Sequence, residues 1–504
     1  MAESVARPLR LAVVGGGLSG LTAAYRLQEL ARQADRPVEL TLFEASPQTG
    51  GIVGTIRRDG YLVDVGADSF ITNKPAALRL CQRLGIEDRL ATLDPRYRGA
   101  LVLHEGRPVP VPDGFQLLSP SAFWPMVRTP LLSLWGKLRM GMELFVPPRR
   151  SSEDESLADF VRRRFGREAL ERLIQPLVGG IYTADPEKLS MQATLGRFVE
   201  MEQKYGSVIR GSRRQLKEQH ADSDSSSTGA RYGLFLGLKG GLQDLVDALT
   251  QAIQPSVQVR TGIRLTTAVE EPTGVRLENG ATDGPWDGVV LAMMAHQAAA
   301  LVERMDGDLA GALRSIEYAS SAIVVSGHKL AEFREPPQAF GLVIPHREHR
   351  RILAVSFSSR KFADRAPEGG ILLRTFIGGA LQQHLFERSD EELLQIVREE
   401  LQEIFGVSTQ WAQVIRYANA MPQYHVGHLQ RVARIEELAA QHPRLALTGN
   451  AYHGVGVPDV IQQAEDAADR LWRTVTAIKE DEEVLPRRRG GRGEEQAGDD
   501  LRGK

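Results

Sequence analysis

The amino-acid sequence predicts an α/β protein whose Rossmann-like dinucleotide-binding domain is assembled from both ends of the chain. A glycine-rich turn follows an apolar run at residues 9–14, and a second glycine-rich turn follows another apolar run near residue 449. The long segment between them has strand and helix patterns of its own. These patterns predict a mixed-sheet substrate domain and a helical cap, inserted between the two halves of the nucleotide domain.

The first glycine motif is typical of a strand that turns into a helix beneath a pyrophosphate. Gly15 permits the tight turn, Gly17 lets backbone approach the phosphates, and Gly20 lets the helix pack close to the strand. The helix N-terminus adds unpaired N–H groups and a partial positive charge. The predicted cofactor contacts at this turn are Gly15, Gly17, Leu18, Ser19 and Gly20.

An acidic residue completes the fingerprint. Residues 38–43 form the second predicted strand, and Glu44 follows it directly. A carboxylate about 20 residues after the last glycine bonds a ribose hydroxyl in this type of site, and its charge opposes the extra phosphate of NADP.

The C-terminal motif repeats the arrangement of strand, glycine turn and helix. Gly449 and Asn450 follow the apolar residues 445–448, and Val457 and Pro458 open a helix. We interpret the two motifs as parts of one flavin site. Val269, in a predicted strand that returns to the nucleotide domain, is a further candidate contact.

Composition excludes several classes of protein. The chain has 504 residues, a formal net charge of −2, 42% hydrophobic and 25% charged residues, which is typical of a soluble globular protein and gives no basic field for nucleic acid. Its one cysteine, Cys81, excludes an internal disulfide and a multi-cysteine zinc site, and no metal site is predicted. The sequence shows neither a secretory signal nor a membrane-spanning run, so we expect a cytoplasmic protein.

Composition shifts and turn residues set the predicted boundaries. The dinucleotide domain takes 1–75, 232–292 and 430–478, the substrate domain 76–94 and 293–429, the helical cap 95–210, a mobile loop 211–231, and a disordered tail 480–504.

One stretch of the helical region suggests contact with a membrane surface. Residues 114–127 carry no charge and include Phe115, Phe123 and Trp124, and a predicted helix at 129–145 then carries Lys137 and Arg139. Apolar aromatics beside cations are typical of peripheral membrane binding. The alternative is an ordinary substrate-domain core with a solvated basic edge.

Beyond these features, the sequence resembles the protoporphyrinogen oxidase family, including its bacterial members that oxidise coproporphyrinogen. The glycine fingerprint alone also fits flavin amine oxidases and carotenoid desaturases, and the segments 180–190 and 421–428 separate this family from those. The resemblance covers roughly residues 9–475 and is carried by the two glycine motifs and by segments 50–51, 59–70, 135–139, 175–190, 202–207, 237–242 and 421–428.

The resemblance implies the oxidation of a porphyrinogen to a porphyrin in haem biosynthesis, by FAD. Six electrons leave in three flavin turnovers, with oxygen as the acceptor and peroxide as its product. The FAD is expected to be noncovalent, because no C-terminal cysteine is present to form a thioether. The expected partners are the porphyrinogen, oxygen, the next enzyme of the haem pathway and a membrane surface. Both porphyrinogens, and both a monomer and a homodimer, remain open.

The resemblance also assigns site residues. Arg98 is implied to bind a propionate, which favours protoporphyrinogen, and its alternative is a solvated loop arginine. Gly179 and Gly180 are implied to let the substrate ring approach, and their alternative is a helix C-cap. The implied flavin contacts are Gly50, Gly51, Gly66, Ala67, Asp68 and Ser69.

Other polar residues of the matching segments are expected to be structural. His425 and His428 have no acidic neighbour in sequence, and Asp185 and Ser190 are suited to cap a helix. Lys239 is either a flavin-side residue or a loop charge.

The sequence departs from the family pattern at Ile52, where a basic residue is usual. Arg57 is a possible substitute. Ala67 and Val460 stand where a proline and a cysteine are frequent.

Two alternatives to porphyrinogen oxidation stay open. One is another flavin oxidase or desaturase of the same fold, acting on an amine or a carotenoid. The other is a protein that binds flavin or porphyrin without turnover.

Overall fold

The structure is a computed structural model that describes residues 7–97, 99–120, 122–222, 234–279 and 282–490. Its strands are β1 (Leu9–Val14), β2 (Val38–Phe43), β3 (Thr55–Arg58), β4 (Tyr61–Asp64), β5 (Phe70–Ile71), β6 (Leu90–Thr92), β7 (Leu101–His104), β8 (Arg107–Pro110), β9 (Phe115–Gln116), β10 (Ser119–Pro120), β11 (Phe235–Leu238), β12 (Val257–Arg260), β13 (Thr267–Glu271), β14 (Gly274–Glu278), β15 (Thr282–Trp286), β16 (Gly288–Ala292), β17 (Tyr318–Lys329), β18 (Gly341–Val343), β19 (Ala354–Phe357), β20 (Gly370–Gly378), β21 (Trp411–Pro422) and β22 (Leu445–Thr448).

The helices include one π turn, at 170–174, immediately before α7. The α-helices are α1 (Leu18–Gln33), α2 (Ala76–Arg83), α3 (Phe123–Arg128), α4 (Leu134–Gly141), α5 (Leu157–Arg164), α6 (Arg167–Ala169), α7 (Gln175–Tyr182), α8 (Met191–Tyr205), α9 (Val208–Asp222), α10 (Gln243–Ile253), α11 (Ala295–Val302), α12 (Gly307–Arg314), α13 (Ser358–Lys361), α14 (Gln383–Phe386), α15 (Asp390–Phe405), α16 (His428–Ala439) and α17 (Val457–Gly490).

A five-stranded parallel sheet joins the two ends of the chain. Its order is β12-β2-β1-β16-β22, so strands from residues 9–43 and 445–448 lie in one layer. Its central strands are almost wholly buried, which explains why they are near-continuous apolar runs. Helices α1, α10 and α17 contribute to one core on this sheet. The α/β class, with mixed sheets and helices, is confirmed.

A seven-stranded mixed sheet forms the second layer, in the order β21-β17-β20-β19-β18-β7-β8. Helix α15 covers one of its faces, because Leu393, Val397 and Leu401 pack with Val355 and Leu373 of the sheet. The other face meets the β3–β4 hairpin and the helical region.

The structure moves two of the predicted boundaries. Strands β7 and β8 were assigned to the helical cap, but Leu342 pairs with Leu101, so this hairpin extends the seven-stranded sheet. Helix α2 was assigned to the substrate domain, but Leu80 and Cys81 are fully buried in the core of the nucleotide sheet. In both cases the contact that decides the assignment is distant in sequence.

A segment predicted to be a mobile loop and another predicted to be a disordered tail are helical in part. The predicted loop 211–231 contains residues 211–222 of α9, and the predicted tail from 480 continues α17 to Gly490. A buried carboxylate caps α9, since Glu143 accepts the N–H group of Val208 at 2.8 Å. Residues 223–233 and 491–504 lie outside the described residues.

Candidate active site

The N-terminal glycines have distinct roles in the turn between β1 and α1. Gly15 has φ +107°, and a Cβ there would lie 2.2 Å from the carbonyl oxygen of Ala292. A Cβ at Gly20 would lie 1.8 Å from the oxygen of Gly15. At Gly17 the nearest atom to such a Cβ is Cα of Gly51, at 3.8 Å. The fold therefore requires Gly15 and Gly20, whereas Gly17 borders open space at the start of α1, which fits a bound pyrophosphate.

Glu44 and the Gly50–Gly51 pair close around this turn. The N–H group of Gly16 donates to Oε2 of Glu44 at 2.6 Å, and that of Gly50 donates to the oxygen of Gly16 at 2.8 Å. A Cβ at Gly51 would lie 3.1 Å from Cα of Gly17. The structure thus brings together three segments that the sequence assigned to one cofactor site. Leu18 and Ser19 form the buried first turn of α1.

The C-terminal motif lies at the same edge of the parallel sheet. Gly449 follows β22 with φ +145°, and Val457 and Pro458 begin α17. The phenolic group of Tyr424 donates to the oxygen of Asn450 at 2.7 Å and accepts the N–H group of Gly454 at 2.9 Å. Two helix N-termini therefore face the carboxyl edge of one sheet, which is where α/β folds bind nucleotides.

The predicted cofactor contact Val269 and the suggested substitute Arg57 lie outside these segments. Val269 lies half-buried in β13, and its assignment stays a prediction. The Ile52 side chain is 44% exposed, and Arg57 is exposed in β3.

The loop from Gly66 to Ser69 is fixed by two cations that the sequence analysis missed. Nζ of Lys361 lies 2.7 Å from Oδ1 of Asp68, and Nη1 of Arg374 lies 3.0 Å from its Oδ2. Lys361 also donates to Ser69, at 2.7 Å, and Arg374 donates to the oxygen of Gly66. Burial alone would raise the pKa of Asp68, but these cations outweigh it and hold the pKa well below its usual range. Asp68 is therefore a carboxylate anchor for the loop.

This loop lies over one face of the seven-stranded sheet. A Cβ at Gly66 would lie 1.9 Å from the oxygen of Ile52, so the loop passes beside the glycine pair of the cofactor turn. Ala67 is half-buried and packs against the core of the nucleotide sheet. Through Arg374 of β20, the loop joins the nucleotide layer to the sheet.

We define the floor as the sheet face that Arg374 belongs to. Strand register places Gly341, Ser356 and Arg374 in one row on this face and Val343, Ala354 and Phe376 in the next. Four of these six residues are half-buried and Ala354 and Arg374 are buried, whereas Leu342, Val355 and Thr375 of the opposite face are at most 1% exposed. The floor is thus a partly open, mostly apolar face deep in the molecule.

Helix α7 lies across the far end of the floor. The side chain of Val343 lies 3.5 Å from the position that a Cβ would take at Gly180. The helix ends at Thr183, which has φ +47°, so the C-cap alternative for Gly179 and Gly180 is wrong. A small cavity beneath the helix is lined by Gln175, Pro176, Gly179, Gly180, Thr183, Ala184, Ile344, Leu353, Gly378 and Leu381.

The opposite end of the floor is cationic. The registers place the start of β7, the start of β18 and the end of β19 together there, and β19 leads into α13 with Arg360 and Lys361. Arg98 lies outside the described residues, and its role stays a prediction. Its neighbour Arg96 is exposed and paired with Asp94 at 2.6 Å.

The hydrogen bonds of Ser190, Asp185 and Lys239 decide what each of these residues does. Ser190 caps α8 by accepting the N–H group of Ala193 at 2.9 Å, but Asp185 accepts that of Glu187 within a turn and caps no helix. Lys239 is exposed and donates to the oxygen of Asp88 at 2.8 Å, which makes it a loop charge.

Of the two histidines in the 421–428 segment, His428 supports the C-terminal glycine turn. Nε2 of His428 donates to the oxygen of Tyr452 at 3.0 Å, and its ring stacks on Tyr424 with centroids 3.8 Å apart. The expectation that no acid lies nearby is wrong for His425, whose Nδ1 lies 3.5 Å from Glu317. Burial lowers the pKa of His428 to about 4, so this ring is neutral and structural.

This gives a prediction for pH dependence. The unfolded His428 takes up a proton near pH 6.5, but the folded one does so only near pH 4, so the unfolded state binds more protons between these values. Stability should fall by about 3 kcal/mol as the pH drops through this window. His428→Gln keeps a donor for Tyr452 and should flatten the slope measured by urea unfolding. The exposed His384→Gln is the control, and equal slopes for wild type and His428→Gln would refute the assignment.

Comparisons with known proteins agree with this geometry. The sequence profile of a family described as flavin containing amine oxidoreductase matches residues 18–472. The coproporphyrinogen III oxidase of Bacillus subtilis (strain 168) is 34% identical over 463 residues, which cover 90% of this chain and 96% of that protein. The protoporphyrinogen oxidase 2 of Arabidopsis thaliana is 27% identical over 91% of this chain and 93% of that protein.

A solved structure extends the likeness to three dimensions. The crystal structure of "Putative protoporphyrinogen oxidase" from Exiguobacterium sp. 255-15 superposes with a TM-score of 0.79 at 30% identity, covering 92% of this chain and 98% of that one. UDP-galactopyranose mutase shares the fold alone, with a TM-score of 0.67 at 16% identity.

Proposed function

The chain belongs to the flavin-containing amine oxidoreductases, and we propose that it uses FAD to oxidise a porphyrinogen to the porphyrin in haem biosynthesis. The observation that carries the proposal is the floor, a partly open, mostly apolar face between the Gly66–Ser69 loop and α7. A large, mostly apolar macrocycle with acidic arms needs such a face with cations at one end.

The flavin would accept electrons from the substrate. Oxygen is the proposed terminal acceptor, and peroxide is its product. The task of the protein is to hold the ring in place. Lys361 and Arg374 fix the loop that borders the cofactor, and the floor orients the macrocycle. Gly179 and Gly180 have no side chains, which leaves room for the substrate macrocycle beneath α7.

We propose that FAD is held without a covalent bond to cysteine. Its adenosine and pyrophosphate would lie along Glu44, Gly17 and the start of α17. The thiol of Cys81 is fully buried in α2, and burial raises its pKa to about 12, so it supplies no thiolate.

A direct test is anaerobic mixing of the purified protein with each porphyrinogen in turn. Coproporphyrinogen III or protoporphyrinogen IX should bleach the flavin absorbance, and admitted oxygen should restore it with one peroxide for each pair of electrons. Amine and carotenoid substrates serve as controls, because they would bleach the flavin if the chain were another oxidase of this fold. A flavin that no porphyrinogen reduces would overturn the proposal.

We further propose that the helical region binds an anionic membrane surface, where a sparingly soluble product can leave or pass to the next haem enzyme. Among the described residues, no helix is long and apolar enough to cross a bilayer. However, eight of their thirteen exposed large apolar side chains fall between positions 123 and 145, and we call them the aromatic patch: Phe123, Trp124, Val127, Leu134, Trp135, Leu138, Met142 and Phe145.

The composition of this surface differs from the expected one. Phe115 is half-buried against the helical core, and Lys137 and Arg139 are tied to backbone oxygens of Val127 and of residues 162–164. Arg128, next to Val127 of the aromatic patch, is exposed, and its side chain is less restrained than those of Lys137 and Arg139. Each such cation near anionic lipid contributes about 1 kcal/mol.

The protein should therefore co-sediment with anionic vesicles, less so as salt rises. Phe123→Ser together with Trp124→Ser should weaken binding further, because both rings are more than half exposed. The control is Leu429→Ser, which removes a 39% exposed apolar side chain outside the aromatic patch. Wild-type protein that stays in the supernatant at low salt would show that the patch does not bind lipid.

A further inference from the structure

We propose that Arg360 of α13 binds a substrate carboxylate. Through this contact the site would favour a porphyrinogen with four carboxylate arms over a porphyrinogen with two. The inference rests on the proposed function and adds a specificity-determining residue to it. The position of Arg360, its incomplete hydrogen bonding and the surrounding charge carry the argument.

Arg360 lies at the cationic end of the floor. Ser356, in the first row of the floor, lies in β19 four residues before it, and Lys361, next in the chain, reaches Asp68 and Ser69 of the Gly66–Ser69 loop. The N–H group of Asp94 donates to the oxygen of Lys361 at 3.1 Å. Helix α13 therefore lies between the floor, the Gly66–Ser69 loop and the 94–97 loop.

The guanidinium of Arg360 is held in place but not satisfied. It stacks on Tyr97, with Cζ 4.4 Å from the ring centroid, and donates Nη1 to the phenolic oxygen. Its Nε is buried and has no hydrogen-bond partner, and no carboxylate of the described residues forms an ion pair with it. Tyr97 is a neutral partner, so no described carboxylate is bound directly to the guanidinium, and a half-buried, oriented guanidinium of this kind is suited to a substrate carboxylate.

The nearby acids are already engaged. Asp68 is shared by Lys361 and Arg374, so these three groups alone leave a positive charge. Asp94 is bound by two nitrogens of Arg96, at 3.0 and 2.6 Å. Arg360 adds to this surplus. Anionic arms of the substrate would balance it, and a tetracarboxylate can place an arm here while others meet the remaining cations.

The test replaces Arg360 by methionine, which keeps an apolar side chain against Tyr97 but removes charge and donors. We expect the KM for coproporphyrinogen III, with four propionates, to rise roughly tenfold to a hundredfold, as for a lost charge-assisted hydrogen bond. The KM for protoporphyrinogen IX, with two propionates, should rise less, and kcat should change little. Arg360→Lys should recover part of the loss.

Binding without turnover gives a second readout. Coproporphyrin III, titrated against the protein by fluorescence quenching at low salt, should bind the methionine variant more weakly by a similar factor. Arg388→Met, which removes an exposed arginine ion-paired with Glu392 beside α15, is the control, and equal flavin content and melting temperature exclude misfolding. Unchanged KM and porphyrin affinity in Arg360→Met would overturn the inference alone. Wild-type protein that neither oxidises nor binds any of these tetrapyrroles would overturn the proposed function as well.

Discussion

Replacing Gly17 by valine is expected to give a folded protein that has lost most of its flavin. The backbone there is extended, with φ −73° and ψ −177°, which valine adopts readily. A Cβ meets no protein atom closer than 3.8 Å, so the side chain would project into the space assigned to the pyrophosphate. We expect at least tenfold weaker FAD binding, or about 1.4 kcal/mol or more, measured by flavin absorbance and titration.

The matched control for this variant is Gly20→Val. Its Cβ would meet backbone at 1.8 Å, so this variant should lose the fold and not merely the cofactor. Circular dichroism separates the two outcomes, because Gly17→Val should melt like wild-type protein stripped of flavin. A Gly17→Val protein that keeps a full complement of flavin would show that the turn does not hold the cofactor.

Replacing Asp68 by asparagine should have the second large effect. It leaves Lys361 and Arg374, both largely buried, without their shared carboxylate. Breaking a buried ion pair on one side costs about 3–5 kcal/mol, because the remaining charge stays desolvated. We expect a loss of this order in the free energy of unfolding, measured by urea denaturation, and earlier release of flavin along the transition.

Glu187→Gln is the control for the Asp68 variant. It breaks the ion pair with Arg162, in which both side chains are more than 40% exposed, and surface pairs of this kind contribute at most about 1 kcal/mol. If both variants unfold at the same urea concentration, the Asp68 cluster does not anchor the loop. In Asp68→Asn combined with Lys361→Met, part of the loss should return, because one unpaired cation is gone.

The backbone of the turn that is proposed to hold the cofactor could be predicted because its signals are local. The strand, glycine turn, helix and acid of residues 9–44 stand in one short stretch, and each has a backbone requirement that the structure reproduces. Lys361 and Arg374 could not be predicted, because nothing near them in sequence marks them as partners of Asp68. Their role arises from tertiary packing, which brings the end of α13 and strand β20 against a loop some 300 positions earlier in the chain.

Helix α9 illustrates the same limit for secondary structure. Its sequence is polar, so composition predicted a loop, but Lys, Arg, Gln and Glu are good helix formers. The missing signal was Glu143, which is buried with Arg164 and binds N–H groups at the start of the helix. A cap supplied from some 65 residues upstream leaves no trace in the local pattern.

The interleaving of the parallel sheet has a consequence for biosynthesis. Strand β22 leaves the ribosome more than 400 residues after β1, yet it forms an edge of the layer to which β1 belongs. A nascent chain therefore carries an open edge on β16 for the time needed to translate some 150 residues. With the proposed cofactor site, flavin capture must follow translation of the start of α17. A frameshift or stop codon anywhere before residue 445 would yield a polypeptide without the C-terminal part of that proposed site, however much of the remainder had folded.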